Sequence, residues 1–130
     1  MKTISNAIAM VALFLGTALA ADTSALRKAP ELAYSVPAGG HQEPKLLSQY
    51  RGKVVALEFI FTTCPHCQHA SILMSKLQQE YGGRGFQALD VAINENADLL
   101  VGNFARDFQT NFPVGWTTRD QFITFMNFSF

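Results

Sequence analysis

The run Lys53-Val54-Val55-Ala56-Leu57-Glu58-Phe59-Ile60-Phe61-Thr62-Thr63-Cys64-Pro65-His66-Cys67 sets a strand, a tight turn and a pair of cysteines in immediate succession. Residues 53–61 are apolar at almost every position. A half-exposed strand alternates apolar with polar, so a nearly unbroken run predicts a strand buried on both faces, in a parallel sheet covered by helices. Pro65 suits the first turn of a helix, where no backbone donor is lost. Residues 66–81 then read as an amphipathic helix. Ala70, Leu73, Met74, Leu77 and Tyr81 recur at three- and four-residue spacing, with Gln and Lys on the other face. Gly82 and Gly83 end it, the usual place for glycine beyond a helix C-terminus.

The chain has only two cysteines, Cys64 and Cys67. A bridge between them would close almost no loop and so stabilise little, which argues against a structural disulfide and for reactive thiols. Cys64-Pro65-His66-Cys67 falls where the strand ends and the helix begins. The thiolate is the reactive form of cysteine, and a helix N-terminus favours negative charge through its dipole and free N–H groups. Cys64, first in the turn and ahead of Pro65, is expected to be the attacking sulfur. Cys67, one turn further in, is placed to resolve a mixed disulfide by attacking Cys64. Pro65 and His66 are expected to tune the pair, His66 by adding a donor or positive charge near the Cys64 sulfur. A stabilised thiolate stabilises the reduced form, which makes the corresponding disulfide more oxidising. Glu58 is the one charge in the apolar run, six residues before Cys64. Set in an apolar strand, a carboxylate has a raised pKa and can exchange protons near neutral pH. It is expected to be the acid/base for Cys67, through a water; the alternative is a carboxylate that reaches water at the strand's edge.

Further elements follow the same rules. Residues 31–36 predict a short strand, Pro37, Gly39, Gly40 and Pro44 a loop, and residues 45–50 one helical turn. Residues 86–93 predict a second strand. Asn94 or Asn96 can cap a second helix, with Ala97, Leu100, Val101, Phe104 and Phe108 as its apolar stripe. Residues 112–116 form a short extended piece, and Thr118 with Gln121 makes a capping box that opens a third helix through Met126. Strand–helix–strand–helix order gives an α/β fold with a central, mostly parallel sheet flanked by helices.

At 130 residues, 48% of them hydrophobic, the chain fits one domain. Ten basic residues balance ten acidic ones and no stretch concentrates either sign, which excludes a basic nucleic-acid-binding face. Residues 1–20 read as a signal peptide: Lys2 supplies the positive start, residues 7–15 the apolar stretch, and Ala18-Leu19-Ala20 the small-residue cleavage pattern. A periplasmic or secreted protein is expected, anchored at its N-terminus only if uncleaved, with no stable span in the mature chain. Residues 22–28 are a polar lead-in.

The segment Leu47-Ser48-Gln49-Tyr50-Arg51-Gly52-Lys53-Val54-Val55-Ala56-Leu57-Glu58-Phe59 followed by C-x-x-C, with Ala29-Pro30 ahead of it, resembles the redoxin-type opening of TlpA/ResA-like thioredoxin-fold disulfide oxidoreductases. Leu57-Glu58-Phe59 with Cys-Pro-His-Cys also resembles the DsbA-type oxidases. The resemblance runs over residues 29–126. It implies a thioredoxin-like domain over residues 29–130 that exchanges dithiol for disulfide with protein thiols and with a carrier of reducing equivalents, without a cofactor. That family carries a cis-proline loop, a hairpin and a last helix beyond the C-x-x-C. Pro113 does not match the cis-proline position, so the resemblance implies a domain whose last strands and helix are missing. Its sheet edge would then be open, with Phe122, Phe125, Phe128 and Phe130 short of cover.

Two other readings compete. Cys64, Cys67, His66 and His69 together suit Cu(I) or Zn, as in a metallochaperone. A structural zinc site draws its second ligand pair from another segment, where only His41 is available, and helical geometry turns His66 and His69 away from one centre. The other alternative is a non-catalytic remnant of the fold. A peroxidase of related fold would carry Thr and Pro where this chain has Phe61 and Leu57. Attached c-type haem would need His at Gln68.

Overall fold

The computed structural model describes residues 28–127. Five strands form one sheet: β1 (Ala33–Ala38), β2 (His41–Leu46), β3 (Val54–Ile60), β4 (Phe86–Ala92) and β5 (Val114–Trp116). Three helices accompany it: α1 (Pro65–Tyr81), α2 (Ala97–Asp107) and α3 (Arg119–Met126). The strand order is β2-β1-β5-β4-β3, with β3, β4 and β5 parallel and the β1–β2 hairpin joined antiparallel through β1. The α/β class expected from the sequence is present, with a mixed sheet whose β3–β4–β5 part is parallel. The signal segment assigned to residues 1–20, together with Phe128 and Phe130, lies outside the described residues.

Side-chain alternation divides the core into two layers. On one face, Ile60, Ala88, Ala92 and Val114 pack with Ala97, Val101 and Phe104 of α2 and with Cys67 and Met74 of α1. On the other, Leu32, Tyr34, Leu89 and Val91 pack with Leu47, Tyr50, Val55, Leu57, Phe59 and Phe125. β4, between β3 and β5, is buried over six of its seven residues. Phe122 and Phe125 of α3 meet Phe59 edge-on at 4.8 and 5.6 Å between ring centroids, so both are half-buried.

Several local expectations are corrected. β3, expected to be buried on both faces, is the last strand of the sheet: only Ile60 is fully buried, and Val54 is 73% exposed. An apolar pattern reports what covers the two faces, and β3 has layers on both; it is silent about the strand's edges. Residues 41–46 form β2 rather than a loop. This edge strand faces water, so it lacks the apolar alternation that would have announced it, and an edge tolerates Pro44. The turn 82–84 is 3₁₀, and the left-handed residue that closes the segment is Gly85 (φ 88°), not Gly82 or Gly83. Asn96 does precede α2, but at φ 56° and without a side-chain cap, while Asn94 is used elsewhere. Thr118 caps α3 as expected, its Oγ1 accepting from the Gln121 N–H at 3.2 Å.

The inner face of α1 also differs. It runs through Cys67, Ser71, Met74 and Gln78, a helical repeat of its own. Leu73 (59% exposed) and Leu77 (41%) lie on its flank. Two stripes of helical spacing overlap at Met74, and periodicity alone does not say which one meets the sheet.

β5 reaches β1 at a single register pair, Ser35 with Trp116, and Gly115 lies against this junction. A Cβ at Gly115 would sit 2.5 Å from the Ser35 carbonyl and 2.7 Å from the Tyr34 ring. The carbonyl belongs to the backbone and cannot swing aside, so Gly115→Ala must prise β1 from β5. A loss of about 1–3 kcal/mol is expected, readable as a lower urea midpoint.

Candidate active site

β3 delivers the chain into the turn 61–64, and several bonds hold that turn in place. The Cys64 N–H donates to the Phe61 carbonyl (3.0 Å) and the Gln68 N–H to the Cys64 carbonyl (3.1 Å). The Thr62 N–H donates to Asn94 Oδ1 (2.9 Å), and Gln68 Nε2 donates to the Thr62 carbonyl (3.2 Å). Asn94 is therefore used to fix the site's turn to the loop after β4. Cys64 is the N-cap of α1, extended at φ −83°, ψ 118°, with Pro65 next. Both cysteines are free thiols and half-buried.

The two thiols sit in opposed environments. Cys64 is held below the ordinary thiol range, first by the Cys67 backbone N–H, then by the Cys67 thiol and the His66 backbone N–H; partial desolvation and the charge of Glu58 oppose this. These amides are the free donors of the first turn of α1. Cys67 is pushed up, chiefly by burial. The neighbouring Cys64 and Glu58 charges add to this, against a backbone hydrogen bond at Phe61. The imidazole of His66 is exposed, and its contribution at Cys64 is made by its backbone. Pro65, at the first helical position, leaves the amides of the following residues free for the sulfur. Iodoacetamide alkylation followed against pH is expected to give Cys64 a midpoint below the free-thiol value of about 8.5 and Cys67 one above it.

Glu58 is half-buried on β3, on the face that α1 covers, and burial raises its pKa. The carboxylate lies on an edge strand, and its charge raises both cysteines. Its register partner on β4 is Asp90, which is fully buried. Sequence reasoning overlooked Asp90, although the signal was the one that singled out Glu58: a carboxylate inside an apolar run, here residues 86–93. Ser71, whose hydroxyl reaches Asp90, carried no such signal.

His41, His66 and His69 are all exposed. Among the described residues, no group of three or more His, Cys, Asp or Glu side chains converges where a metal ion could be held. No helix among them is long and apolar enough to cross a membrane.

A parallel β3–β4–β5 core with an antiparallel hairpin beside it, helices on both faces and C-x-x-C opening a helix define a thioredoxin-fold protein. The chain belongs to the AhpC/TSA family, whose profile matches residues 26–126. It is 35% identical over 88 residues to the thiol-disulfide oxidoreductase ResA of Geobacillus kaustophilus, covering 68% of this chain and 49% of that one. ResA of Geobacillus thermodenitrificans is 36% identical over 75 residues, covering 58% of this chain and 42% of its own. The chain thus spans about half the length of these curated relatives, or less. Among solved structures, the thioredoxin domain of a thiol-disulfide oxidoreductase from Bacteroides vulgatus superposes with a TM-score of 0.65 at 16% identity, over 78% of this chain and 69% of that one. A thioredoxin-family thiol:disulfide interchange protein from Chlorobium tepidum gives 0.58 at 25% identity, over 73% and 64%. The first of these likenesses carries the fold alone.

Proposed function

We propose that the chain is an exported thiol–disulfide oxidoreductase that exchanges its Cys64–Cys67 dithiol with disulfides of other proteins. The observation that carries this reading is the placement of the pair: two free thiols where β3 runs into α1, Cys64 at the N-cap, which lowers it, and Cys67 in the first turn, raised by burial. In the forward direction, the Cys64 thiolate attacks one sulfur of a substrate disulfide. A Cys64–substrate disulfide forms, and the other substrate sulfur leaves as a thiolate and takes up a proton. Cys67 then gives its proton to Glu58 and attacks the Cys64 sulfur. The intramolecular disulfide forms and the second substrate thiolate departs. Two electrons have passed from the dithiol to the substrate, and the reverse sequence oxidises a dithiol substrate. A further protein or carrier dithiol/disulfide regenerates the pair. No cofactor enters this cycle.

Export rests on residues 1–20, with their positive start, apolar stretch and Ala18-Leu19-Ala20 cleavage pattern, and places the domain of residues 29–130 in the periplasm or outside the cell. Compartments of this kind are where disulfides form and persist.

Glu58→Gln tests the mechanism. The substitution removes a negative charge that raises both thiols, so Cys64 should ionise at lower pH. It also removes the proton acceptor for Cys67. Stopped-flow exchange with a model disulfide should then show the first phase unchanged or faster below neutral pH, and the second slower by about 10²-fold, the low end for general acid–base catalysis. Equal slowing of both phases would remove Glu58 from the proton step.

A further inference from the structure

The second carboxyl under the cysteines has no part in the scheme above, and its surroundings are unusual. Asp90 lies at the middle of the sheet's most buried strand, with no exposed surface. Ser71 Oγ, one turn along α1 from Cys67, lies 2.5 Å from Asp90 Oδ2 and 3.0 Å from the Cys67 carbonyl oxygen. Asp90 Oδ1 has no hydrogen-bond partner among the described residues. Glu58 is its register neighbour on β3. The groups that act on Asp90 are Glu58 from β3, through its charge, and Ser71 from α1, through a hydrogen bond that also reaches the Cys67 carbonyl. On the same face, β5 and α2 bring Val114, Val101 and Phe104, which are apolar.

Ser71 has one hydroxyl proton and two acceptors within reach. With Asp90 protonated, the carboxyl donates to Ser71 Oγ and Ser71 donates to the Cys67 carbonyl, leaving Oδ1 as an uncharged oxygen. With Asp90 ionised, the serine proton must turn to the carboxylate, the Cys67 carbonyl loses that donor, and Oδ1 becomes an unpaired buried anion oxygen. A second negative charge also then stands beside Glu58, with Ser71 alone between it and the Cys67 backbone. Burial and the Glu58 charge favour the neutral form, and together raise the Asp90 pKa to about 7, against an opposing Ser71 hydrogen bond.

We propose that Asp90 is a positioning residue for the second step of exchange: as a neutral acid it holds the Ser71 hydroxyl against the Cys67 carbonyl, and loss of its proton withdraws that hydroxyl, sets a negative charge one side chain away, and disfavours the Cys67 thiolate. The inference rests on the exchange function proposed above. It gives the site a brake that engages as pH rises. Cys67 ionises more readily at high pH, yet Asp90 loses its proton in the same direction and opposes it.

The test is the pH profile of the second exchange phase in the full chain, with the first phase as internal reference. Wild type should show the second-phase rate bending below its low-pH trend near pH 7. Asp90→Asn keeps a neutral donor toward Ser71 at every pH and should abolish the bend. The variant-to-wild-type rate ratio should then rise about fivefold from well below to well above neutrality, as expected for one nearby charge removed. Glu58→Gln removes the charge that raises Asp90 and should move the bend to lower pH. A purely structural Asp90 would change the rates in Asp90→Asn without changing the shape of the profile, and that result overturns the inference. Carbon-13 NMR of the Asp90 carboxyl in wild type needs no variant. It should titrate near 7 rather than near the ordinary aspartate value of about 3.9, and an ordinary titration likewise overturns the inference. Failure of the exchange function itself looks different: wild type would form no mixed disulfide in the first phase at all.

Discussion

Cys64→Ser is expected to lose disulfide exchange by on the order of 10³-fold or more, the scale on which removing an enzyme's nucleophile acts. The reason lies in the first turn of α1. Of the two sulfurs, only Cys64 has the Cys67 and His66 amides directed at it, and only Cys64 is lowered. The thiol left behind in this variant, Cys67, is raised by burial, so at neutral pH it supplies little thiolate to take over. Cys67→Ser should behave differently. Attack by Cys64 proceeds at a similar rate, but nothing resolves the product, so a covalent adduct with a disulfide substrate accumulates at Cys64. Mass spectrometry after a brief incubation separates the two variants. An adduct in Cys67→Ser with none in Cys64→Ser supports the assignment; the opposite pattern reverses the roles.

The second large effect is on stability. Leu89 is fully buried at the centre of β4, packed with Leu32, Tyr34 and Val91 beneath the layer formed by Tyr50, Phe59 and Phe125. Its neighbours are held by strands on both sides, so the space left by Leu89→Ala cannot close by a simple side-chain shift. Truncations of this kind cost about 2–5 kcal/mol. Against a total of about 5–15 kcal/mol for a domain, that is a large fraction. At about 4–8 °C per kcal/mol for a domain of this size, the thermal midpoint should fall by at least about 8 °C. Scanning calorimetry of the two proteins checks it. Leu73→Ala, at a position 59% exposed, should change the midpoint little, which would confirm that the sheet-facing side of α1 is the one through Ser71.

The contrast between Leu89 and Leu73 shows how the sequence can and cannot be read. Residues 53–61 and 86–93 announced strands because they are mostly apolar, and both are strands. Their order across the sheet was not legible. β3 and β4 look alike in sequence because each has layers on both faces, although one ends the sheet and the other lies inside it. β2 escaped notice for the converse reason: an exposed edge strand has no buried face to impose alternation on His41-Gln42-Glu43-Pro44-Lys45-Leu46. At the site, Cys64, Cys67 and Glu58 could be singled out because their chemistry is out of place in their surroundings. The same was true of Asp90, which the apolar run 86–93 should have exposed. Ser71 could not be found this way, since a serine on a helix is unremarkable until Asp90 lies 2.5 Å away. The stabilising amides of Cys67 and His66 belong to the backbone, so any residue other than proline could provide them.

The central claim is that Cys64 and Cys67 form one redox couple in a folded chain. Equilibration in glutathione buffers of graded potential, with thiol trapping and near-ultraviolet circular dichroism on the same samples, tests it most directly. The predicted result is a single reversible two-electron transition with tertiary signal retained throughout. Its midpoint should lie on the oxidising side of about −270 mV, because a lowered Cys64 stabilises the reduced form. Two thiols that are alkylated independently at every potential, with no intramolecular disulfide formed, would contradict it.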